Sequence, residues 1–338
     1  MKRIFYLIAG LLIMQLTVIA QTNDFYDDAP LQKLKMQTIT VDGEIANPGI
    51  VSLQELPVRE VIVKETGFDG KNGTFTGAYL YEGYSVYDIL NHIVLKKKNE
   101  AEFPPIIDLF VEIENDKGEK VVLSWGEIYY PIHRHEILIA SGVRRIVPSK
   151  TKELWPLSAD SKLVVESDLF TERNISNPVK ITVRSSKIQF KIDRNIPDMY
   201  ASELKLLNGS NEVLSITEGK LPGQLVSYGN VYYGRGTGIH GTSPFTGVML
   251  KDITAEQYPL SAENIRTALF LVSAPDGYRA VFTYSEIFNR NDQAEVLIVP
   301  MTGIPHKGAF MLYPAADYFS DRSIRSLNEV RFVQLSDI

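Results

Sequence analysis

The chain of 338 residues contains no cysteine. That absence excludes disulfides, a lipid-anchored cysteine, thiolate catalysis and every cysteine-ligated metal. An exported chain of this size does not need disulfides, because its core suffices. Histidine is scarce, with five, and tryptophan scarcer, with two. There is no Gly-x-Ser-x-Gly elbow, no nucleophile with a visible base and no Walker pattern. Positive charge is in deficit, 35 Lys and Arg against 41 Asp and Glu for a net charge of -6. That balance argues against a nucleic-acid surface, which needs clustered cations. The basic run Lys96-Lys97-Lys98 is followed by Glu100 and Glu102 and reads as a solvated loop.

Long apolar runs are also lacking, with one exception. Behind Lys2 and Arg3, residues 4–19 are apolar apart from Gly10, Gln15 and Thr17, and Val18-Ile19-Ala20 suits cleavage before Gln21. This pattern predicts a secretory signal peptide over 1–20. The run is short for a spanning helix, which needs roughly 20 residues; an uncleaved anchor is the alternative. Cleavage would take the net charge from -6 to -8. No later segment is apolar enough to span a membrane, so the expected location is periplasmic or extracellular.

What is present is a duplicated plan. Asp168-Leu169-Phe170-Thr171-Glu172-Arg173 and Asp317-Tyr318-Phe319-Ser320-Asp321-Arg322 share acid, apolar, Phe, hydroxyl, acid, Arg. Each is followed by a strand-like run, 179–183 and 330–334. The residues before them repeat in the same order. In the first copy, strands are expected over 38–41 and 58–64, a Gly- and Thr-rich loop over 66–77, and a helix from 83 to about 94 capped by Ser85. A hairpin over 109–123 turns at Asp116-Lys117-Gly118, a capped helix starts at Ser124, and a strand covers 136–140. In the second copy, 206–209, 213–216, a helix over 247–253, 269–272, a turn at Asp276-Gly277, 280–282, a capped helix start at Thr283 and 295–299 follow suit. The offset between copies drifts from 164 to 159 to 149, as loop insertions would make it. A period near 150 is too long for a solenoid unit. The expected organisation is a signal peptide (1–20), a loose polar leader (21–36), a first domain (37–185), a connector (186–200) and a second domain (201–338), each domain α+β with more strand than helix.

The second copy resembles the oxidoreductase molybdopterin-binding domain, the sulfite-oxidase-like fold, through residues 245–253, 274–283, 295–298 and the Asp317 to Arg322 element. The first resembles it through Val41-Asp42-Gly43-Glu44, Asn47-Pro48-Gly49, Leu53-x-x-Leu56 and residues 83–90. The resemblance implies two tandem, mixed, strand-rich α+β domains of the sulfite-oxidase molybdopterin-binding type. In that family a molybdenum ion is held by a pterin dithiolene and by one protein cysteine, shortly after the strand matching 61–64 or 225–227. Here those places read Glu65-Thr66-Gly67 and Tyr228-Gly229-Asn230. No hydroxyl easily replaces a soft thiolate. The resemblance therefore implies a scaffold without the metal, binding a small anionic ligand or another extracytoplasmic protein without catalysis. The alternative is a molybdopterin-dependent oxidoreductase with non-thiolate ligation, so molybdopterin is the one cofactor the resemblance allows.

The best candidate site is the Gly-rich stretch 234–247. Its glycines permit close backbone approach and their N–H groups can cradle an anion. Arg235, Gly236, Gly238, His240, Thr242 and Ser243 are its expected ligand-binding residues, with Tyr278 beside it; a plain surface loop is the alternative. Tyr228, Tyr232 and Tyr233 line a pocket or belong to the core. His133 and His135 would share one face of an extended segment, but only Glu127 and Glu136 stand near, so no metal site is expected. Asp168 with Arg173, and Asp317 with Arg322, are expected to close a turn by ion pairing rather than to grip a ligand. His92 and His306 have no evident partner.

Overall fold

The computed structural model describes residues 29–193, 200–301 and 307–338. The expected signal peptide, residues 21–28 of the leader, part of the connector and His306 lie outside the described residues.

In the first half the strands are β1 (Gln32–Lys33), β2 (Thr40–Gly43), β3 (Gly49–Ile50), β4 (Val58–Phe68), β5 (Gly73–Ser85), β6 (Leu109–Asn115), β7 (Lys120–Ser124), β8 (Ile137–Arg145), β9 (Lys162–Val165) and β10 (Pro178–Ser185). One-turn helices α1 (Val86–Leu90) and α2 (Trp125–Tyr129) follow β5 and β7. The second half has β11 (Glu203–Asn208), β12 (Asn211–Thr217), β13 (Leu225–Tyr228), β14 (Tyr232–Gly234), β15 (Gly238–Gly241), β16 (Phe245–Met249), β17 (Ala268–Ser273), β18 (Arg279–Thr283), β19 (Val296–Pro300), β20 (Phe310–Pro314), β21 (Ile324–Arg325) and β22 (Glu329–Gln334). Its helices are α3 (Leu250–Thr254), α4 (Ala262–Thr267) and α5 (Tyr284–Phe288).

The two halves share one topology. Sheet order β3-β2-β10-β6-β7 in the first is matched by β12-β11-β22-β17-β18 in the second. In both, one parallel pair, β2 with β10 and β11 with β22, sits among antiparallel ones. The path β4-β5-β8-β9 is likewise matched by β13-β16-β19-β20. Within the register, Gly83 and Gly247 hold equivalent places. A Cβ on Gly83 would lie 2.2 Å from the Ile139 carbonyl oxygen, and one on Gly247 would lie 2.4 Å from that of Ile298. Gly83→Ala and Gly247→Ala are each expected to cost about 1–3 kcal/mol by overpacking. Gly49→Ala, with nothing within 4 Å, should leave the urea midpoint unmoved.

The expected α+β class is corrected. Of the described residues 44% are strand and 12% helix, and their four five-stranded sheets stand like the blades of a propeller. Each blade gathers strands from across its half rather than from one meander. Helices of five or six residues cannot form a covering layer; sheets cover one another instead. The expected 83–94 helix shrinks to α1 because Tyr84 and Ser85 still pair with Ile139 and Leu138 of β8. The expected 66–77 loop is the tip of the β4–β5 hairpin, where Thr66, Gly67 and Phe68 pair with Phe75, Thr74 and Gly73. Its small and polar residues serve the turn, in which Asp69 accepts from the Lys71 and Asn72 amides. The leader is held from Gln32 on, as β1 pairs with β8 and Leu34 is buried.

The largest buried cluster runs through both halves, from Ile39 and Val111 to Phe270 and Phe332. Lys97, expected in a solvated loop, is buried across the junction. It pairs with Asp108 at 2.7 Å, and Asp108 also accepts from Arg279 of the second half at 3.1 Å. The repeated acid-to-Arg elements cross over too. Tyr318 N–H donates to the Tyr130 carbonyl (2.7 Å), and Leu169 N–H to the Asn289 carbonyl (2.7 Å). At the centre, Arg173 makes a bidentate pair with Asp168 and reaches Glu127, while Arg322 makes one with Asp317 and reaches Glu286. Glu127 and Glu286 close capping boxes with Ser124 and Thr283. Arg322 also donates to the Ser124 hydroxyl of the opposite half at 3.2 Å. Burial pushes the Glu127 carboxyl up to about 7, with the Arg173 charge opposing it.

Candidate functional site

The two copies of the acid-to-Arg element differ in what covers their middle. In the first, the β4–β5 hairpin closes over it. Thr171 Oγ1 accepts from the Thr66 amide, and Glu172 accepts from the Phe68 amide (2.8 Å) and from Arg266 (3.0 Å). In the second, β13 is short and the β14–β15 hairpin stands in its place, leaving the equivalent residues Ser320 and Asp321 facing a cleft.

That cleft has a volume of about 330 Å³ and is lined by Arg235, His240, Asp276, Tyr278, Asp321, Ser323 and Arg325, among others. The 234–247 stretch is therefore not a plain loop; it carries a two-stranded ladder in which Gly234 pairs with Gly238. A Cβ on Gly234 would meet His240 Nε2 at 2.5 Å, so a side chain there would push the exposed imidazole aside. Gly238, at φ +78°, makes the turn. Gly236 lines the cleft mouth with open space beside it. The Arg235 side chain is half-exposed, 3.6 Å from Asp321 Oδ1 and 5.9 Å above the Tyr130 ring. His240 Nε2 is 2.9 Å from Thr237 Oγ1. Tyr278 donates its hydroxyl to the Asp321 carbonyl at 2.5 Å. Of the expected site residues, Arg235, Gly236, Gly238, His240 and Tyr278 thus come together on this hairpin and cleft. Thr242 and Ser243 do not; both are exposed beyond the ladder, and the Ser243 carbonyl accepts from Asn230.

Three buried polar atoms at this place have no hydrogen-bond partner among the described residues: Asp321 Oδ2, Ser323 Oγ and the Tyr130 hydroxyl. Tyr130 is 2% exposed and Ser323 9%. Burial, with Arg235 opposing, pushes the Tyr130 phenol up to about 12. Burial, then Asp321, pushes Tyr278 higher still. Both phenols are therefore donors at neutral pH. Sequence reasoning missed Tyr130, Asp321, Ser323 and Arg325, which come from other segments. Only Asp321 carried a signal, as part of the repeat.

Next to this cleft lies a second of about 310 Å³, walled by Val231, Tyr232, Tyr233, Tyr318 and Phe319 among others, and sharing Tyr232, Ser320 and Ser323 with the first. Tyr233 and Tyr318 are exposed, their rings 6.0 Å apart. Tyr228 packs with Tyr232 on the outer cluster of its sheet.

His133 and His135 line a separate cavity of about 20 Å³, room for about one water, with Glu136, Ser167 and Arg290. His135 Nδ1 is turned to Ser85 Oγ at 3.0 Å and Asp88 at 3.5 Å. No group of three metal-ligating side chains exists among the described residues. Burial, then the charges of Glu166 and Asp292, pushes the Glu136 carboxyl up to about 7. A carboxyl raised in the folded state weakens folding as pH climbs from about 4.5 through 7. Glu136→Gln should therefore raise stability at pH 8 by on the order of 1 kcal/mol, allowing for solvent screening, and leave it unchanged at pH 4.5. Urea unfolding at the two pH values checks this.

The residues do not fit a thiolate-held molybdenum. At the two positions where the cysteine would stand, Thr66 is bonded to Thr171 and Gly229-Asn230 borders the aromatic cleft; the whole chain offers no sulfur anion. Comparison of the chain with protein-family models finds no match, and comparison with curated proteins finds none. No helix among the described residues is long and apolar enough to cross a membrane.

Proposed function

We propose that the protein is an exported ligand-binding protein whose cleft between the β14–β15 hairpin and the second acid-to-Arg element takes a small anionic ligand. Export is supported by Lys2, Arg3 and the apolar run that ends at Ala20. The observation that carries the binding reading is that two residues lining the cleft beside Arg235 and Arg325 hold buried atoms without a hydrogen-bond partner among the described residues, Asp321 Oδ2 and Ser323 Oγ. A buried polar atom without a partner costs about 1–3 kcal/mol, and in the first copy of the element the equivalent acid, Glu172, accepts from the Phe68 amide and from Arg266. A ligand that accepts from Arg235 and Arg325 and donates to Asp321 removes that cost. The acceptor Asp321 further requires that the ligand carry hydroxyl or N–H donors beside its negative charge.

Titration calorimetry with galacturonate, citrate and inorganic phosphate tests this. At least one should bind the wild type, and Arg235→Ala with Arg325→Ala should weaken it at least tenfold. Equal affinity in the double variant, or no binding by any of the three, would count against the cleft as the site.

A further inference from the structure

We infer that the ligand is an acidic saccharide chain, laid across both clefts, with a uronate carboxylate at Arg235 and Arg325 and neighbouring sugar rings against Tyr233 and Tyr318. This rests on the anion-binding reading above and narrows it. Three features of the clefts select this class. The first is the mixture of unmet groups lining the cleft: an Asp321 carboxylate oxygen needs a donor, and the Ser323 hydroxyl takes a donor or an acceptor. Sugar hydroxyls both donate and accept, so a run of them satisfies such a set.

The second is charge. Asp276 and Asp321 stand in the same wall as the two arginines. A compact dianion such as phosphate meets more repulsion there than a single carboxylate does, and a pyranose ring brings that carboxylate in beside neutral hydroxyls. The third is the aromatic extension. Tyr233, Tyr318 and Phe319 put several aromatic rings together in the cleft next to the polar one, a surface suited to something apolar. The C–H faces of a pyranose ring are flat and apolar enough to lie on it, while its edge hydroxyls stay in water. The two clefts adjoin at Tyr232, Ser320 and Ser323, so a linear chain laid over that shared wall would reach both. At about 310 and 330 Å³, each is of the size that small-molecule sites have, roughly 300–1,000 Å³.

The test compares trigalacturonate, monomeric galacturonate, neutral maltotriose, AMP and inorganic phosphate as titrants of the full chain. Trigalacturonate is expected to bind at least tenfold more tightly than the monomer and than maltotriose. Tyr318→Ala and Tyr233→Ala should each weaken trigalacturonate about tenfold while changing monomer binding less than twofold. Both residues are exposed, so folding is expected to survive; unchanged urea midpoints check it. If simple anions bind but trigalacturonate binds no more tightly, or if AMP binds more tightly than it does, the saccharide assignment fails and the anion site stands. If no titrant binds, both readings fail.

Discussion

Arg322→Ala is expected to cost about 3–5 kcal/mol of folding stability, the range for breaking a buried ion pair from one side. The guanidinium spans Asp317 at 2.6 Å and Glu286 at 2.7 Å, and all three side chains are 2–3% exposed. Removing it leaves two carboxylates in the core with no cation of their own. Burial already pushes Asp317 upward, with the Arg322 charge opposing it; without that charge it must rise further. A carboxyl raised in the folded state is a penalty above its folded pKa that fades as pH falls toward its unfolded one. The deficit against wild type should therefore be largest near pH 8 and shrink by pH 5. Arg173→Ala should behave alike, because Arg173 holds the same place with Asp168 and Glu127. Urea unfolding at both pH values reads the outcome. A deficit under 1 kcal/mol, or one that grows in acid, would show that the arginines do not hold the centre.

Asp108→Ala should cost a similar 3–5 kcal/mol, with the opposite dependence on pH. Asp108 lies between Lys97 at 2.7 Å and Arg279 at 3.1 Å, all about 3% exposed. Burial lowers the Lys97 pKa, and the bond to Asp108 is the chief influence opposing it. Without Asp108, Lys97 becomes a buried cation whose folded pKa lies well below its unfolded one. That penalty is complete below the folded pKa and disappears as pH rises toward the unfolded value. The deficit should thus shrink between pH 7 and pH 10 without vanishing, since Arg279 stays charged after losing Asp108, though it keeps Glu102 at 2.7 Å. Asp108→Asn retains shape but not charge and should lose most of the same stability. A deficit independent of pH would mean that packing rather than charge is at stake.

Local rules were legible because they act over a few residues. Ser124-x-x-Glu127 and Thr283-x-x-Glu286 form the capping boxes their spacing announces. Asp and Arg five apart do pair in both copies. The order of strands was readable enough to reveal the duplication, which the matched sheet orders bear out. Some local signals were passed over: Ser261 caps α4, and the apolar run that becomes β20 was visible. Helix length was misjudged, because nothing local says that Tyr84 and Ser85 remain in a ladder with residues more than 50 positions on. Lys97 was misread for the same reason, as its partner Asp108 is shared with an arginine far along the chain.

The sequence by itself determined two similar halves, with their turns, caps and paired acids and arginines, since each depends on residues close along the chain. Only the tertiary structure decided that sheets would cover sheets, that each central arginine would serve the boundary between halves, and that one copy of a repeated element would be closed and the other open. Those outcomes depend on which surfaces meet. Asp321 and Glu172 hold equivalent places in equivalent segments, but Glu172 accepts from the β4–β5 hairpin and from Arg266, whereas Asp321 Oδ2 has no hydrogen-bond partner among the described residues.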